Sequence, residues 1–160
     1  MVYVYGDNID TDRIIPGKYT KTLDLSTLAD HVLEDLDPDF SKQVKQGDII
    51  VAGGNFGCGS SREQAPIALK QAGVELVIAK DFARIFFRNA INIGLPVLEI
   101  GDHTIHKGNK IEYDLQEGSV KDLTDNKEYS ATQLPQIMID ILQAGGLVPY
   151  LKIHKNYSIS

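Results

Sequence analysis

The stretch Gly53–Pro66, GGNFGCGSSREQAP, brings together the residue types of this chain that are best suited to chemistry. Its four glycines leave the backbone free to approach a ligand, and Ser60 and Ser61 place two hydroxyls directly before Arg62. A glycine loop that leads into a helix presents unpaired N–H groups, which favour an anion. The guanidinium of Arg62 is a forked cation that suits a carboxylate. The stretch therefore predicts a site for a small carboxylic acid, at a helix that begins at Ser60 or Ser61.

Two nucleotide-binding motifs fail here at the position that carries their chemistry. A phosphate loop requires a lysine where this chain has Ser60, and a dinucleotide fingerprint requires a small residue where it has Arg62. A plainer interpretation is a capping box, with Ser60 as the cap and Glu63 three residues later. Capping alone requires neither four glycines nor a cation in the first turn of a helix. We favour a functional loop, with the capping box as the open alternative.

The composition excludes several classes of function. A net charge of -6 without a block of like charges argues against nucleic acid and anionic membranes as partners. The single cysteine, Cys58, forms no internal disulfide and holds no iron–sulfur cluster alone, so we expect a small buried residue. His103 and His106 lack the spacing of a zinc site, and no metal site is expected in this chain. No signal peptide or membrane span is evident, and the single cysteine fits a reducing cytoplasm.

The elements that must position the glycine loop alternate between strand and helix. From residue 47 to residue 100 the order is strand, glycine loop, helix, strand, helix, strand, which predicts parallel pairing with crossover helices. Residues 101–131 alternate polar and apolar types between turn residues, which predicts small antiparallel strands.

Outside this core the chain predicts one more strand and further helices. The pattern VYVYG predicts a first strand, followed by a polar loop over residues 7–22. Helical spacing predicts helices over 25–36, 81–93 and 134–144, the first with Ser26 as its cap. No linker or repeat divides the chain, so we expect one α/β domain over residues 1–160, with a mixed sheet, crossover helices and small antiparallel strands.

Three separated motifs carry a resemblance to a known family. They are GDNIDTDRIIPGKY, GGNFGCGSSREQAPIALK and FARIFFRNAINIGLP, in this order along the chain. Together they resemble the small subunits of 3-isopropylmalate dehydratase, an aconitase-type hydro-lyase of leucine biosynthesis, and homoaconitase small subunits are similar. The resemblance implies a swivelling β/β/α domain that acts only with a large subunit. It also implies that the large subunit carries a [4Fe-4S] cluster on its own cysteines, and that the substrate is a small hydroxy-dicarboxylic acid.

The resemblance also implies roles for individual residues. Ser60 falls at the position of the catalytic base, and Ser61 and Arg62 fall where the family holds a substrate carboxylate. Asp12 falls at an acidic position near the active site, where it orients a catalytic partner. A carboxylate-binding module without catalysis is a further hypothesis, and the presence of Ser60, Arg62 and Asp12 together argues against it.

Substrate choice depends on weaker positions. Lys21 and Thr22 fall in the loop that contacts the group by which substrates differ. Isopropylmalate enzymes tend to have an apolar residue where Lys21 stands and homoaconitases an arginine, so Lys21 fits neither pattern. We expect isopropylmalate as the substrate, with homoaconitate and dimethylmalate as alternatives. Arg84 and Arg88, four residues apart on one helix, are candidates to support the site or the subunit interface.

Overall fold

In the computed structural model of the chain, the backbone is described for residues 1–159 and the side chains for residues 1–154. The strands are β1 (Val2–Val4), β2 (Asp48–Ala52), β3 (Val74–Ala79), β4 (Val97–Glu99), β5 (Ile111–Asp114), β6 (Ser119–Asp122) and β7 (Lys127–Ser130). The helices are α1 (Thr11–Ile14), α2 (Leu25–His31), α3 (Phe40–Gln43), α4 (Gln64–Ala72), α5 (Arg84–Asn92), α6 (Gln136–Ala144) and α7 (Leu147–Ile159), with a 3-10 turn at Gly17–Tyr19.

The strands form two sheets of opposite kind. A four-stranded parallel sheet has the order β1-β2-β3-β4, and a three-stranded antiparallel sheet has the order β5-β6-β7. In the middle of the parallel sheet, Val51 pairs with Val4 on one side and with Ile78 on the other. Helices connect β2 to β3 and β3 to β4, as a parallel pairing of successive strands requires.

The parallel sheet is the middle of three layers. Along β2, Ile50 and Ala52 pack in the hydrophobic cluster on the helical face, while Ile49 and Val51 pack in the cluster that includes Val120 of the antiparallel sheet. Strands covered on both faces are apolar at nearly every position, which explains the run from Ile49 to Ala52. The arrangement is the expected β/β/α order and confirms the predicted fold class, with the two kinds of strand in separate sheets rather than one.

The helix boundaries differ from the prediction in informative ways. α2 begins at Leu25 with Asp24 as its cap, not Ser26, because the Asp24 carboxylate accepts the Ser26 N–H at 3.0 Å. α5 begins three residues later than predicted, because Phe82 donates its N–H to Glu99 Oε1 at 3.1 Å. The expected polar loop over residues 7–22 contains α1, and α7 is a helix that the sequence pattern does not predict.

In the part of the chain that the structure describes, none of the helices has both the length and the apolar character needed to cross a membrane.

Candidate active site

Three loops meet at the carboxyl edge of the parallel sheet, where β1, β2 and β3 end. Backbone hydrogen bonds join them: Gly53 N–H donates to Gly6 at 3.0 Å, and Lys80 N–H donates to the carbonyl of Gly53 at 3.2 Å. The loop after β2 is the glycine stretch, so it is held between the loop that leads to α1 and the loop that leads to α5. Ligands of open α/β sheets bind at this edge.

Two aspartates fix the first half of the glycine loop. Asp7 accepts the Gly54 N–H at 2.7 Å, and Asp81 accepts the Asn55 N–H at 2.5 Å. Gly57 follows with φ +82°, and a Cβ built on it would lie 2.2 Å from the ring of Phe86. Glycine is therefore required at this position by both backbone conformation and space. Close packing is therefore one reason for glycine in this loop.

The prediction of a helix start at Ser60 or Ser61 is wrong, and so is the capping box. α4 begins at Gln64, and the side chain of its N-cap residue Glu63 makes no capping hydrogen bond. The carbonyl of Ser60 instead accepts a hydrogen bond from the Thr11 hydroxyl at 2.9 Å. Pro66 lacks an N–H, so a helix that began at Ser60 or Ser61 would lack the backbone hydrogen bond that residue 66 would otherwise donate. Ser60 and Ser61 therefore lie in the loop and remain exposed.

The backbone around the two serines presents hydrogen-bond donors. Among residues 1–154, the N–H groups of Gly59, Ser60, Ser61 and Arg62 donate to no protein acceptor. Consecutive free N–H groups form a concave surface that suits an anion. The donors that the sequence pattern attributes to a helix N-terminus are thus supplied here by a loop.

Arg62 is held beside this loop by Asp12. Its Nη1 lies 2.5 Å from Asp12 Oδ1, within the distance of an ion pair. The contact lacks hydrogen-bond geometry, and Nη1 is buried without a hydrogen-bonding partner among the described residues. On its other side the guanidinium packs on Gly17, where an added Cβ would lie 3.0 Å from Nη1. The cation is thus positioned while its donors keep hydrogen-bonding capacity.

A cavity of about 210 Å³ opens beside Ser60, Ser61 and Arg62. α5 also lines it, with Arg84 and Asn89 among the lining residues. The N–H groups that begin α5 carry the positive end of the helix dipole toward this part of the lining. Two arginines and the N-terminus of α5 therefore lie at a small space in a chain whose net charge is -6.

The cavity gathers some of the predicted site residues and leaves others out. Ser60, Ser61, Arg62 and Arg84 line it, and Asp12 joins it through its ion pair with Arg62. Arg88 is exposed and does not line this cavity. Two further candidates, in the segment after the 3-10 turn, also lie outside the lining: Lys21 and Thr22.

Three features of the site escape the sequence analysis. Thr11 falls in the stretch expected to be a polar loop, yet it lines the cavity and is only 2% exposed. Asn89 also lines it, from α5. The N-terminus of α5 is the third, and it could have been found from the order of elements. Since β2 and β3 are parallel neighbours, the loops that follow them end at the same edge.

Cys58 is a poor candidate for a metal ligand. Partial burial and the nearby carboxylate of Asp10 raise the pKa of its thiol, which keeps the proton on sulfur. His103 places Nε2 2.8 Å from the carbonyl of Ala52 and packs against Tyr129. Among the described residues, no three His, Cys, Asp or Glu side chains are grouped as a metal site requires. The donors of these residues do not fit an iron–sulfur cluster, which needs several thiolates.

Comparisons with known proteins agree with one another. A model of the aconitase C-terminal domain matches residues 34–103. The chain is 58% identical over 154 residues to a 3-isopropylmalate dehydratase small subunit of Aquifex aeolicus, covering 94% of this chain and 92% of that protein. It is 54% identical over 152 residues to a 3-isopropylmalate dehydratase small subunit 1 of Methanopyrus kandleri, covering 94% and 89%. A crystal structure of 3-isopropylmalate dehydratase (leuD) from Methanocaldococcus jannaschii superposes with a TM-score of 0.92 at 48% identity, covering 98% of this chain and 94% of that one.

Proposed function

We propose, because this chain belongs to the family of 3-isopropylmalate dehydratase small subunits, that it is one subunit of a heteromeric hydro-lyase of leucine biosynthesis. The reaction removes water from 2-isopropylmalate and adds it back, so that the hydroxyl moves to the neighbouring carbon. One C–H and one C–O bond break, and the same kinds of bond form again, with no net oxidation or reduction. The cavity that gathers Ser60, Ser61 and Arg62 is the observation that carries this proposal.

Each lining residue then has a defined task. The Ser60 oxygen takes the proton from the carbon next to a substrate carboxylate, which leaves negative charge on that carboxylate. Arg62 and the hydroxyl of Ser61 hold the carboxylate and stabilise the charge as it develops. Asp12 holds Arg62 in place through the ion pair between the two side chains.

A serine hydroxyl is a weak base in water, so this role makes an electrostatic demand. The oxygen must lose its own proton or come close to doing so, which requires a concentrated positive potential. Arg62, Arg84 and the N-terminus of α5 supply part of it on this chain. The open cavity leaves room for a partner chain to supply the rest. We propose that Ser60 becomes competent only on assembly.

The aconitase family implies an iron–sulfur cluster, and we place it on the partner. The donor set of the described residues does not fit such a cluster, as the raised pKa of Cys58 and the lack of grouped ligands indicate. We propose a large subunit that carries a [4Fe-4S] cluster on its own cysteines. This chain then contributes the base and the carboxylate site.

We further propose that residues 1–160 act as one swivelling domain in the cytoplasm. Both hydrophobic clusters share the parallel sheet, which favours movement of the layers as a unit. The single cysteine suits a reducing compartment. For the substrate, the names of the relatives support isopropylmalate, and the segment with Lys21 and Thr22 is our candidate for contact with the group that distinguishes one hydroxy acid from another.

The deciding experiment reconstitutes the complex. This chain is co-expressed with a large subunit of the family, and the purified complex is assayed at the enoyl absorbance with isopropylmalate, citraconate, citrate and homocitrate. We expect turnover of isopropylmalate by the complex and none by either chain alone. Preference for homocitrate would move the assignment to a homoaconitase. Failure to form a complex, or turnover by this chain unaided, would overturn the proposal.

A further inference from the structure

Thr11 makes two hydrogen bonds to the glycine loop. Its hydroxyl donates to the carbonyl of Ser60 at 2.9 Å, and its backbone N–H donates to the carbonyl of Cys58 at 2.9 Å. The loop passes close to Thr11 between these contacts, since a Cβ on Gly59 would lie 3.6 Å from the Thr11 hydroxyl. Thr11 of α1 thus forms hydrogen bonds with the loop on both sides of Gly59.

These bonds set the direction of the groups that follow. A trans peptide is planar, so its carbonyl and the next N–H point in opposite directions. A Ser60 carbonyl held by Thr11 aims the Ser61 N–H away from Thr11, and a held Cys58 carbonyl does the same for the Gly59 N–H. Neither N–H has a protein acceptor among residues 1–154, and both residues line the cavity. The contact with Thr11 therefore presents two donors in a defined geometry.

The chemistry of threonine suits this task. Thr11 is only 2% exposed, and a buried hydroxyl needs a hydrogen-bonding partner, which here is Ser60. A β-branched side chain has few rotamers, so the hydroxyl is oriented before any ligand arrives. Gly59 has φ +90°, a conformation that glycine adopts readily and that adds no stiffness of its own. Among the described residues, the hydrogen bond that holds the Ser60 carbonyl comes from Thr11.

We propose that Thr11 is a positioning residue for the reaction. Its two hydrogen bonds fix the backbone of Ser60, which orients the basic hydroxyl, and they aim the Gly59 and Ser61 N–H groups as donors to the substrate carboxylate. The inference rests on the proposed function, since it names the residue that prepares the same site. Thr11 acts through Ser60 and the loop and takes no part in proton transfer.

The test compares three versions of the complex assembled with a large subunit. Thr11→Val keeps the shape and removes the hydroxyl, while Thr11→Ser keeps the hydroxyl and removes the methyl group. We expect kcat for isopropylmalate to fall about tenfold or more in the valine variant, because small misplacements of a reacting group are costly. KM should rise by a smaller factor than kcat falls, because the Gly59 and Ser61 N–H groups lose their aim at the carboxylate while Arg62 keeps its contacts with Asp12 and Gly17. The serine variant should keep kcat within about threefold of the unmodified complex.

A second readout does not depend on turnover. The Gly57 and Thr11 N–H groups donate to the carbonyls of Ile9 and Cys58, so their hydrogen exchange reports how firmly the loop is held. We expect exchange about tenfold faster in Thr11→Val than in Thr11→Ser, since local opening becomes easier without the hydroxyl. If the valine variant does not assemble, Thr11→Ala removes the hydroxyl without the bulk, and the same losses are expected.

The outcomes separate the two proposals. A kcat unchanged in the valine or alanine variant overturns the positioning role, and so does a serine variant as impaired as the valine variant. If the unmodified complex turns over no isopropylmalate, the proposed function fails. Faster exchange in the valine variant alone would then still support the role of Thr11 in holding the loop, and unchanged exchange would overturn it.

Discussion

Arg62 of the glycine loop and Asp12 of α1 form an ion pair, with Nη1 of the arginine 2.5 Å from Oδ1 of the aspartate. The arginine side chain is 24% exposed and the aspartate 63% exposed, so water screens the pair. Exposed pairs of this kind contribute about 0–1 kcal/mol to stability. A substrate carboxylate can therefore take over part of the guanidinium without unfolding the site. The ion pair positions the guanidinium but is weak enough for a ligand carboxylate to replace Asp12.

The guanidinium plane of Arg62 should matter as well as its charge. Arg62→Lys keeps a positive charge and loses the forked pair of donors, so we expect KM for isopropylmalate to rise about tenfold and kcat to fall. Steady-state kinetics of the assembled complex measure both. Arg13→Lys is the matched control, because Arg13 is exposed and does not line the cavity. Unchanged kinetics in the Arg62 variant would remove it from the carboxylate site.

The two serines should differ in the step that they affect. Ser60→Ala should lower kcat by about a thousandfold or more, because no base then takes the proton. Ser61→Ala should raise KM by about tenfold, because it removes one donor to the carboxylate. Both serines are exposed loop residues, so the complex should still assemble, as size-exclusion chromatography would verify. A Ser60 variant with nearly full kcat contradicts its assignment as the base.

The parallel sheet could be predicted because its signals are local. Apolar runs such as Ile49–Ala52 recur between glycines and helical patterns, and parallel strands covered on both faces favour such continuous burial. The start of α4 could not be predicted, because Thr11 competes for the Ser60 carbonyl from 49 residues away. The residues next to Ser60 in the sequence do not indicate a hydrogen bond from so distant a residue.

The candidate site likewise has one part that the sequence predicts and another that depends on the fold. Ser60, Ser61 and Arg62 could be found from sequence because they are adjacent in one unusual loop. The wall with Arg84 and Asn89 depends on β3 lying beside β2, which brings the start of α5 to the glycine loop. Arg84 and Arg88 are equivalent by sequence spacing, and only the packed helix separates them, with one side chain at the cavity and the other away from it.

That separation predicts unequal effects for the two arginines of α5. Arg84→Ala should raise KM by about tenfold, since it removes a cation from the cavity wall. Arg88→Ala should change KM by less than about twofold, because Arg88 lies outside the lining of this cavity. Equal losses in both variants would indicate that α5 acts through subunit contact and not through the cavity. Binding of the large subunit, measured in parallel, distinguishes these two causes.

Gly57 should be intolerant of a side chain for two separable reasons. Its φ of +82° strains any other residue, and a Cβ would lie 2.2 Å from Phe86. Gly108 has φ +84° with no atom within 4 Å of the position that a Cβ would take, so Gly108→Ala isolates the strain. We expect that control to cost about 1 kcal/mol of unfolding free energy, and Gly57→Ala about 2 kcal/mol more through overpacking. Urea denaturation of both variants measures the difference, and equal losses would show that the loop yields to the added methyl group.

Cys58 should be slow to react in the folded chain. Partial burial, with a smaller effect of Asp10, raises the pKa of its thiol above the ordinary value. A raised pKa means that less thiolate is present at any pH below it, and the thiolate is the reacting form. Alkylation near pH 8 should therefore be about tenfold slower in the folded chain than in urea. The pH at which the alkylation rate reaches half of its maximum should also be higher in the folded chain than in urea. A lower midpoint pH in the folded chain would contradict the effect of burial.

The same thiol tests where the cluster of the complex lies. A ligand to iron must be a thiolate, and Cys58 is the one cysteine of this chain. If the partner holds the cluster, Cys58→Ser should leave the iron and acid-labile sulfide of the purified complex unchanged, together with the cluster absorbance. Cysteine-to-serine variants of the large subunit should lose all three. Loss of iron in the Cys58 variant, with the complex still assembled, would show that this chain supplies a ligand and that the cluster sits at the interface of the two subunits.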